Sequence, residues 1–154
     1  MLTALDRALG ALGMTTLVTA VLARVEQSSA DAAAGVRTLR WSNAGHPPPV
    51  VVAADGTAQL LERPRNLLLG LDPDTTRTEN TVRLQPGDTV VLYTDGLVER
   101  RDATLDDGLD RLVTAARAVA GRPVDGLCDD LLARLAPEAD DDVALLVIRV
   151  APGG

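Results

Sequence analysis

Two acidic positions in this sequence stand where a hard cation could be held. Asp95 closes the apolar run Thr89 to Thr94 and is followed by Gly96, which permits a sharp exit. Asp141 and Asp142 stand immediately before a second apolar run that starts at Val143. Carboxylates at the ends of core strands sit on rigid supports, and Mg or Mn takes oxygen ligands while keeping several waters. Paired ions of that kind generate a hydroxide and clamp a phosphoryl oxygen without a Ser, His or Cys nucleophile. That chemistry suits a chain with one histidine, His46, and one cysteine, Cys128. The residues alone leave a plainer reading open. Asp-Gly after a strand is also an ordinary turn, and an acidic run before a strand is also a solvated loop.

Other reactive side chains read more simply. A single cysteine excludes an internal disulfide framework and a Cys-based zinc site. Cys128 lies in the apolar stripe of a predicted helix, which points to a buried, inert thiol. Asp106-Asp107 and Asp129-Asp130 fall on or beside predicted helices and read as solvated faces. Arg100 and Arg101 could attract a phosphate, but an exposed pair balancing nearby acids is the simpler account.

The elements that must position these residues follow from periodicity. Leu5, Leu9 and Leu12 repeat at helical spacing over 3–12. Thr16 to Val25 is apolar and β-branched, which predicts a strand buried on both faces, with 27–35 as a hairpin loop. Val36 to Asn43 alternates, with Leu39 and Trp41 on one face, and breaks at the three prolines Pro47 to Pro49. Val50 to Val52 and Ala58 to Glu62 flank Asp55-Gly56, a hairpin signal. Arg77 to Leu84 and Thr89 to Thr94 flank the turn Pro86-Gly87-Asp88. Two amphipathic helices follow, one marked by Leu105, Leu109, Leu112, Ala116 and Val119, the other by Leu127, Cys128, Leu131 and Leu135. Val143 to Val150 is the last predicted buried strand. Hairpins with segregated helices indicate an α+β fold, and sheet packed on sheet with helices outside would cover strands that are greasy throughout.

Composition narrows the function classes. The 154 residues suffice for one domain, and 46% hydrophobic residues suffice for a core, although Trp41 and Tyr93 are its only aromatics. All 15 basic residues are Arg, against 22 acidic ones, for a net charge of −7. That balance argues against a nucleic-acid surface. No signal peptide is evident, and the longest apolar stretch, Leu17 to Val25, is too short to span a bilayer. A cytoplasmic protein with neither a nucleic-acid nor a membrane partner is the expectation.

The residues with their neighbours are more specific. Asn43-Ala44-Gly45-His46-Pro47-Pro48, Leu92-Tyr93-Thr94-Asp95-Gly96-Leu97 and Asp141-Asp142-Val143-Ala144-Leu145-Leu146 occur in this order, each joined to a predicted strand. Together with Thr15 to Ala20, Leu69-Gly70-Leu71 and Pro86-Gly87-Asp88, they resemble the metal-dependent protein phosphatase (PPM, 2C-type) family in its bacterial stage II sporulation protein E branch. The resemblance covers nearly the whole chain.

It implies an antiparallel β-sandwich flanked by helices, in α-β-β-α layers, with a binuclear Mn or Mg site at one edge. The implied activity is hydrolysis of phosphoserine or phosphothreonine on a protein, in this branch often an anti-anti-sigma factor. Carried over, Asp95 and Asp141 are metal ligands and Asp142 is a polar neighbour. Asn43, Gly45, His46 and Gly96 are site-adjacent, with no catalytic residue beyond the metal ligands. One departure matters. The earlier Gly-Asp-Val-x-Gly-His-Gly motif, which supplies the Asp that bridges both ions, occurs nowhere in the sequence, which opens at Met1 in the helix that follows it. The expectation is therefore that residues 1–150 are the C-terminal part of such a domain, missing its first strands, with 151–154 as a tail. Such a chain would hold at most one ion, weakly, and its exposed sheet edge would favour a homodimer. The alternative is a catalytically inactive truncated module acting by protein–protein interaction.

Overall fold

The computed structural model describes residues 2–13, 16–62, 66–136 and 142–151. Numbered in chain order, its helices are α1 (Leu2–Ala11), α2 (Ser29–Ala33), α3 (Leu105–Ala118) and α4 (Leu127–Leu135). Its strands are β1 (Ala20–Glu26), β2 (Arg37–Ala44), β3 (Val50–Val52), β4 (Ala58–Leu60), β5 (Asn80–Leu84), β6 (Thr89–Tyr93) and β7 (Leu145–Arg149). They form two antiparallel sheets, one ordered β1-β2-β5 and the other β4-β3-β6-β7.

The three consecutive valines of β3 show how the layers arise. Successive strand side chains leave opposite faces, so a strand covered on both sides can be apolar at every position. Val51 joins Val90 of β6 against Leu39, Trp41 and Leu84 from the other sheet, and this is the core between the sheets. Val50 and Val52 join Val91 and Tyr93 under Leu109, Leu112 and Ala116 of α3 and Leu127 and Leu131 of α4. On the far side, Leu2 and Leu9 of α1 cover Ala44, Ala20 and Leu22 of the three-stranded sheet. The order is helix, sheet, sheet, helices, as the sequence and its resemblance implied.

Four expectations need correction. The segment from Thr16 forms regular strand only from Ala20, and it is not buried on both faces: β1 is an edge strand, Leu17 is 51% exposed and Val25 43% exposed. The final strand is the opposite edge of the other sheet and is equally open, with Leu146 54% exposed. A continuous apolar run reports potential burial, whereas actual burial depends on a neighbour being present. Within 27–35 the chain forms the short helix α2, whose N-cap Ser28 accepts a hydrogen bond from the Asp31 backbone and donates one to its carboxylate. Cys128 is half-buried, because α4 turns that position towards the flank of its packed stripe.

Helix α3 is held at its start by a capping box. Thr104 Oγ1 accepts from Asp107 N at 3.2 Å, and Asp107 Oδ2 accepts from Thr104 N at 3.0 Å. Asp107 is thus a cap as well as a solvated acid. Its carboxyl is held below the usual range by the Thr104 side chain first and the Thr104 N–H second. Thr104→Ala should lower stability by about 1 kcal/mol. Urea unfolding of the purified variant measures this, and an unchanged midpoint would show that the box carries no weight.

Candidate functional site

The site is built at one end of the sandwich, where β6 runs out. Beyond Tyr93 the chain makes one short 3-10 turn over Asp95–Leu97. That turn closes on itself: Leu97 N donates to Thr94 O at 3.1 Å, Val98 N to Asp95 O at 2.9 Å and Glu99 N to Asp95 O at 2.8 Å. Asp95 is half-buried, and its Oδ1 accepts from Gly96 N at 3.0 Å.

Thr94 joins this end to the last motif. Its N–H donates to Ala144 O at 3.0 Å, its hydroxyl donates to Asp142 O at 3.1 Å, and the same hydroxyl accepts from Ala144 N at 2.8 Å. The Thr-Asp-Gly segment and the segment entering β7 are therefore side by side, as a two-carboxylate site requires. Asp142 is exposed at this edge, and Asp141 lies outside the described residues.

His46 reaches the same place from the other sheet. Gly45, with φ +72°, turns the chain sharply after β2, and a Cβ there would strike the Leu68 side chain. The Asn43 amide then grips the His46 backbone at both ends: Oδ1 accepts from His46 N and Nδ2 donates to His46 O, each at 2.8 Å. The ring lies between sheets, with Nε2 2.8 Å from Tyr93 O and Nδ1 3.0 Å from Thr19 Oγ1. Both ring nitrogens are thereby engaged, so His46 has no lone pair to give a metal. Thr19, His46, Pro47, Leu92, Thr94 and Leu146 line a groove of about 360 Å³ between the free edges of β1 and β7.

Donor chemistry here suits a hard cation, since carboxylate and carbonyl oxygens predominate. The ligand count does not suit a two-ion site. Among the described residues no group of three or more His, Cys, Asp or Glu side chains could hold a metal. Asp95 is the described carboxylate best placed at the strand end, and one carboxylate with a neighbouring segment does not make a cage. The other candidates stay apart: Arg100 pairs with Asp102 at 3.2 Å in solvent, and Asp130 pairs with Arg122 at 2.5 Å on α4.

Two residues escaped the sequence reading. Thr19 stands in an apolar run and gave no signal beyond its hydroxyl. Tyr93, read as a core aromatic and as a member of the Leu92 to Leu97 motif with no role of its own, donates its buried hydroxyl to Pro48 O at 2.7 Å and offers its carbonyl to His46. A lone tyrosine opposite a proline run was the available clue.

Comparison with known proteins gives a consistent answer. Residues 1–151 match the family described as Stage II sporulation protein E (SpoIIE). Among solved structures, the RsbU and RsbW domains of Rv1364c from Mycobacterium tuberculosis superpose with a TM-score of 0.84 at 29% identity, over 99% of this chain and 42% of that one. The Mn-presoaked phosphatase domain of the cell fate determinant SpoIIE from Bacillus subtilis gives a TM-score of 0.58 at 12% identity, over 86% of this chain and 56% of that one. The serine/threonine phosphatase PstP/Ppp of Mycobacterium tuberculosis gives 0.53 at 15%, over 97% and 68%. The last two likenesses concern the fold. The chain spans less than half of the solved chain that carries the RsbU and RsbW domains of Rv1364c and little more than half of the SpoIIE domain.

Proposed function

This chain belongs to the stage II sporulation protein E family, a branch of the PPM phosphatases, and we propose that it serves a metal-dependent protein serine/threonine phosphatase. In this reading the substrate is phosphoserine or phosphothreonine on a bacterial signalling protein such as an anti-anti-sigma factor. Asp95 and Asp141 are Mn or Mg ligands, with Asp142 beside them. The observation that carries it is the Thr94 junction, which sets the Thr-Asp-Gly turn against the segment leaving Asp142 through three hydrogen bonds.

The chain's own residues do the following. The closed turn after Thr94 presents the Asp95 carboxylate from a rigid strand end. Oxygen donors at this edge suit hard cations such as Mg or Mn. The described residues do not fit two ions, and a bridging carboxylate would have to come from outside them.

That shortfall also favours a second reading, a catalytically inactive module that acts by protein contact. The free edges of β1 and β7 are where a second copy or another strand would pair. One experiment separates the two. The purified chain is assayed with Mn and a phosphoserine protein, and Mn uptake is followed by calorimetry. Turnover that disappears in Asp95→Asn is the expected result for the enzyme. Absence of both turnover and Mn uptake would sink it and leave the contact module.

A further inference from the structure

The backbone at the end of β6 has a specific deficiency that one side chain fills. Thr94 directs its N–H towards β7, so Tyr93, one residue earlier, directs its backbone groups the other way, towards β3. The β3–β6 register pairs Val50 with Val91. Continued by two residues, it places Pro48 opposite Tyr93. Proline has no N–H, so the ladder cannot supply a donor to the Tyr93 carbonyl. Tyr93 is buried, and a ladder bond missing there, two residues before Asp95, would weaken the end of β6 unless another group supplied it.

His46 Nε2 stands 2.8 Å from that carbonyl. A carbonyl only accepts, so Nε2 carries the proton. Nδ1 stands 3.0 Å from the Thr19 hydroxyl, and this contact ties the ring to the other sheet. The Asn43 clamp fixes the His46 backbone, and the Tyr93 hydroxyl bond to Pro48 O fixes the same proline loop from the opposite side. Three segments, around Thr19, 43–48 and Tyr93, are tied together at His46.

We propose that His46 is a positioning residue that substitutes for the N–H missing from Pro48, holding the end of β6 and thereby the direction of Asp95. The consequence for metal binding rests on the reading of Asp95 as a ligand; the consequence for the β6 end does not.

The test uses the whole chain labelled with 15N. His46 is the single histidine, so its ring signals need no assignment. They should show a proton on Nε2, and an Nε2 that carries none would overturn the proposal. Amide exchange at Leu97 and Val98, whose N–H groups close the turn around Asp95, is then compared among His46→Gln, His46→Ala and wild type. His46→Ala should speed exchange about tenfold, and His46→Gln, whose amide nitrogen reaches as Nε2 does, should restore most of the protection. Unchanged exchange in His46→Ala, or no rescue by Gln, would overturn the proposal. Should His46→Ala fail to fold, Thr19→Val removes only the Nδ1 partner and should move the same amides in the same direction; no movement would count against the proposal. Mn uptake by the wild type is followed in parallel by calorimetry. A wild type that takes up no Mn, while the exchange response is present, removes the ligand reading of Asp95 and leaves the positioning role intact.

Discussion

Replacing Asp6 by Asn should lower folding stability by about 3–5 kcal/mol, the cost of stranding one charge of a buried pair. The Asp6 and Arg77 side chains are 1% and 4% exposed and form an ion pair between α1 and the segment before β5. Asp6 Oδ1 also accepts from Gly70 N at 2.7 Å, and Arg77 Nη1 donates to Leu67 O at 2.7 Å. Arg77 Nε is buried with no hydrogen-bond partner among the described residues. The arrangement leaves the guanidinium dependent on Asp6, since loss of the carboxylate adds an uncompensated charge to an already unsatisfied atom. Gly70 is equally constrained: its φ is +88°, and a Cβ would lie 2.8 Å from Thr16 O. The pair therefore fixes the loop that bridges Leu69 to Val18, one residue before Thr19. Urea unfolding of Asp6→Asn, Arg77→Met and the double variant gives the coupling directly. A loss below about 1 kcal/mol for Asp6→Asn would contradict the pair's assigned weight.

The same pair predicts a pH dependence. Burial alone raises the Asp6 carboxyl, but the Gly70 N–H and the Arg77 guanidinium together outweigh it and hold it below the ordinary 3.8. A folded value below the unfolded one means the contribution is complete above the unfolded value and is lost as pH falls through the folded one. The stability gap between wild type and Asp6→Asn should thus be widest above about pH 5 and narrow in acid. A gap that stays constant down to the acid limit would show that the carboxyl is not depressed.

Gly108→Ala should destabilise by about 1–3 kcal/mol, against the usual sign for glycine in a helix. In an open helix interior the change gains roughly 0.5–1 kcal/mol, because alanine loses less backbone freedom on folding. At Gly108 a Cβ would fall far inside contact with Val98 O, a backbone atom with little room to move. Helix α3 approaches this closely because Val98, Leu109 and Leu112 share one buried cluster. Gly10 in α1 is the internal control, since nothing lies within 4 Å of its Cβ position. Gly10→Ala should be neutral to stabilising by up to about 1 kcal/mol. Paired melting curves decide the matter: equal shifts of the same sign would remove the steric account. Because Val98 N closes the turn on Asp95 O, Gly108→Ala should also displace the amide signals of that turn.

Much of the architecture was legible from the residues alone. Val50 to Val52 and Thr89 to Tyr93 read as strands covered on both faces because a β-branched run without polar alternation has no solvent side to offer. The helix over 105–118 was legible from its 3.6-residue stripe, and the Asp55-Gly56 hairpin from its turn chemistry. Misreadings fell at β1 and β7, where the local composition matches that of central strands. What differs there is the absence of a neighbour, and no local pattern encodes that.

The candidate site divides in the same way. Composition pointed to oxygen-ligand chemistry, and the ordered motifs around His46, Asp95 and Asp142 to one family, because such signals are local in the chain. Only the tertiary structure decided that Thr94 joins the last motif through both backbone and side chain, or that Asp6 and Arg77, 71 positions apart, share a buried charge. Only it decided that the single imidazole spends both nitrogens on Thr19 and Tyr93. Hydrogen-bond partners across sheets depend on register and on which ladder donor is missing, and proline at position 48 acquires its meaning only when β6 lies opposite it.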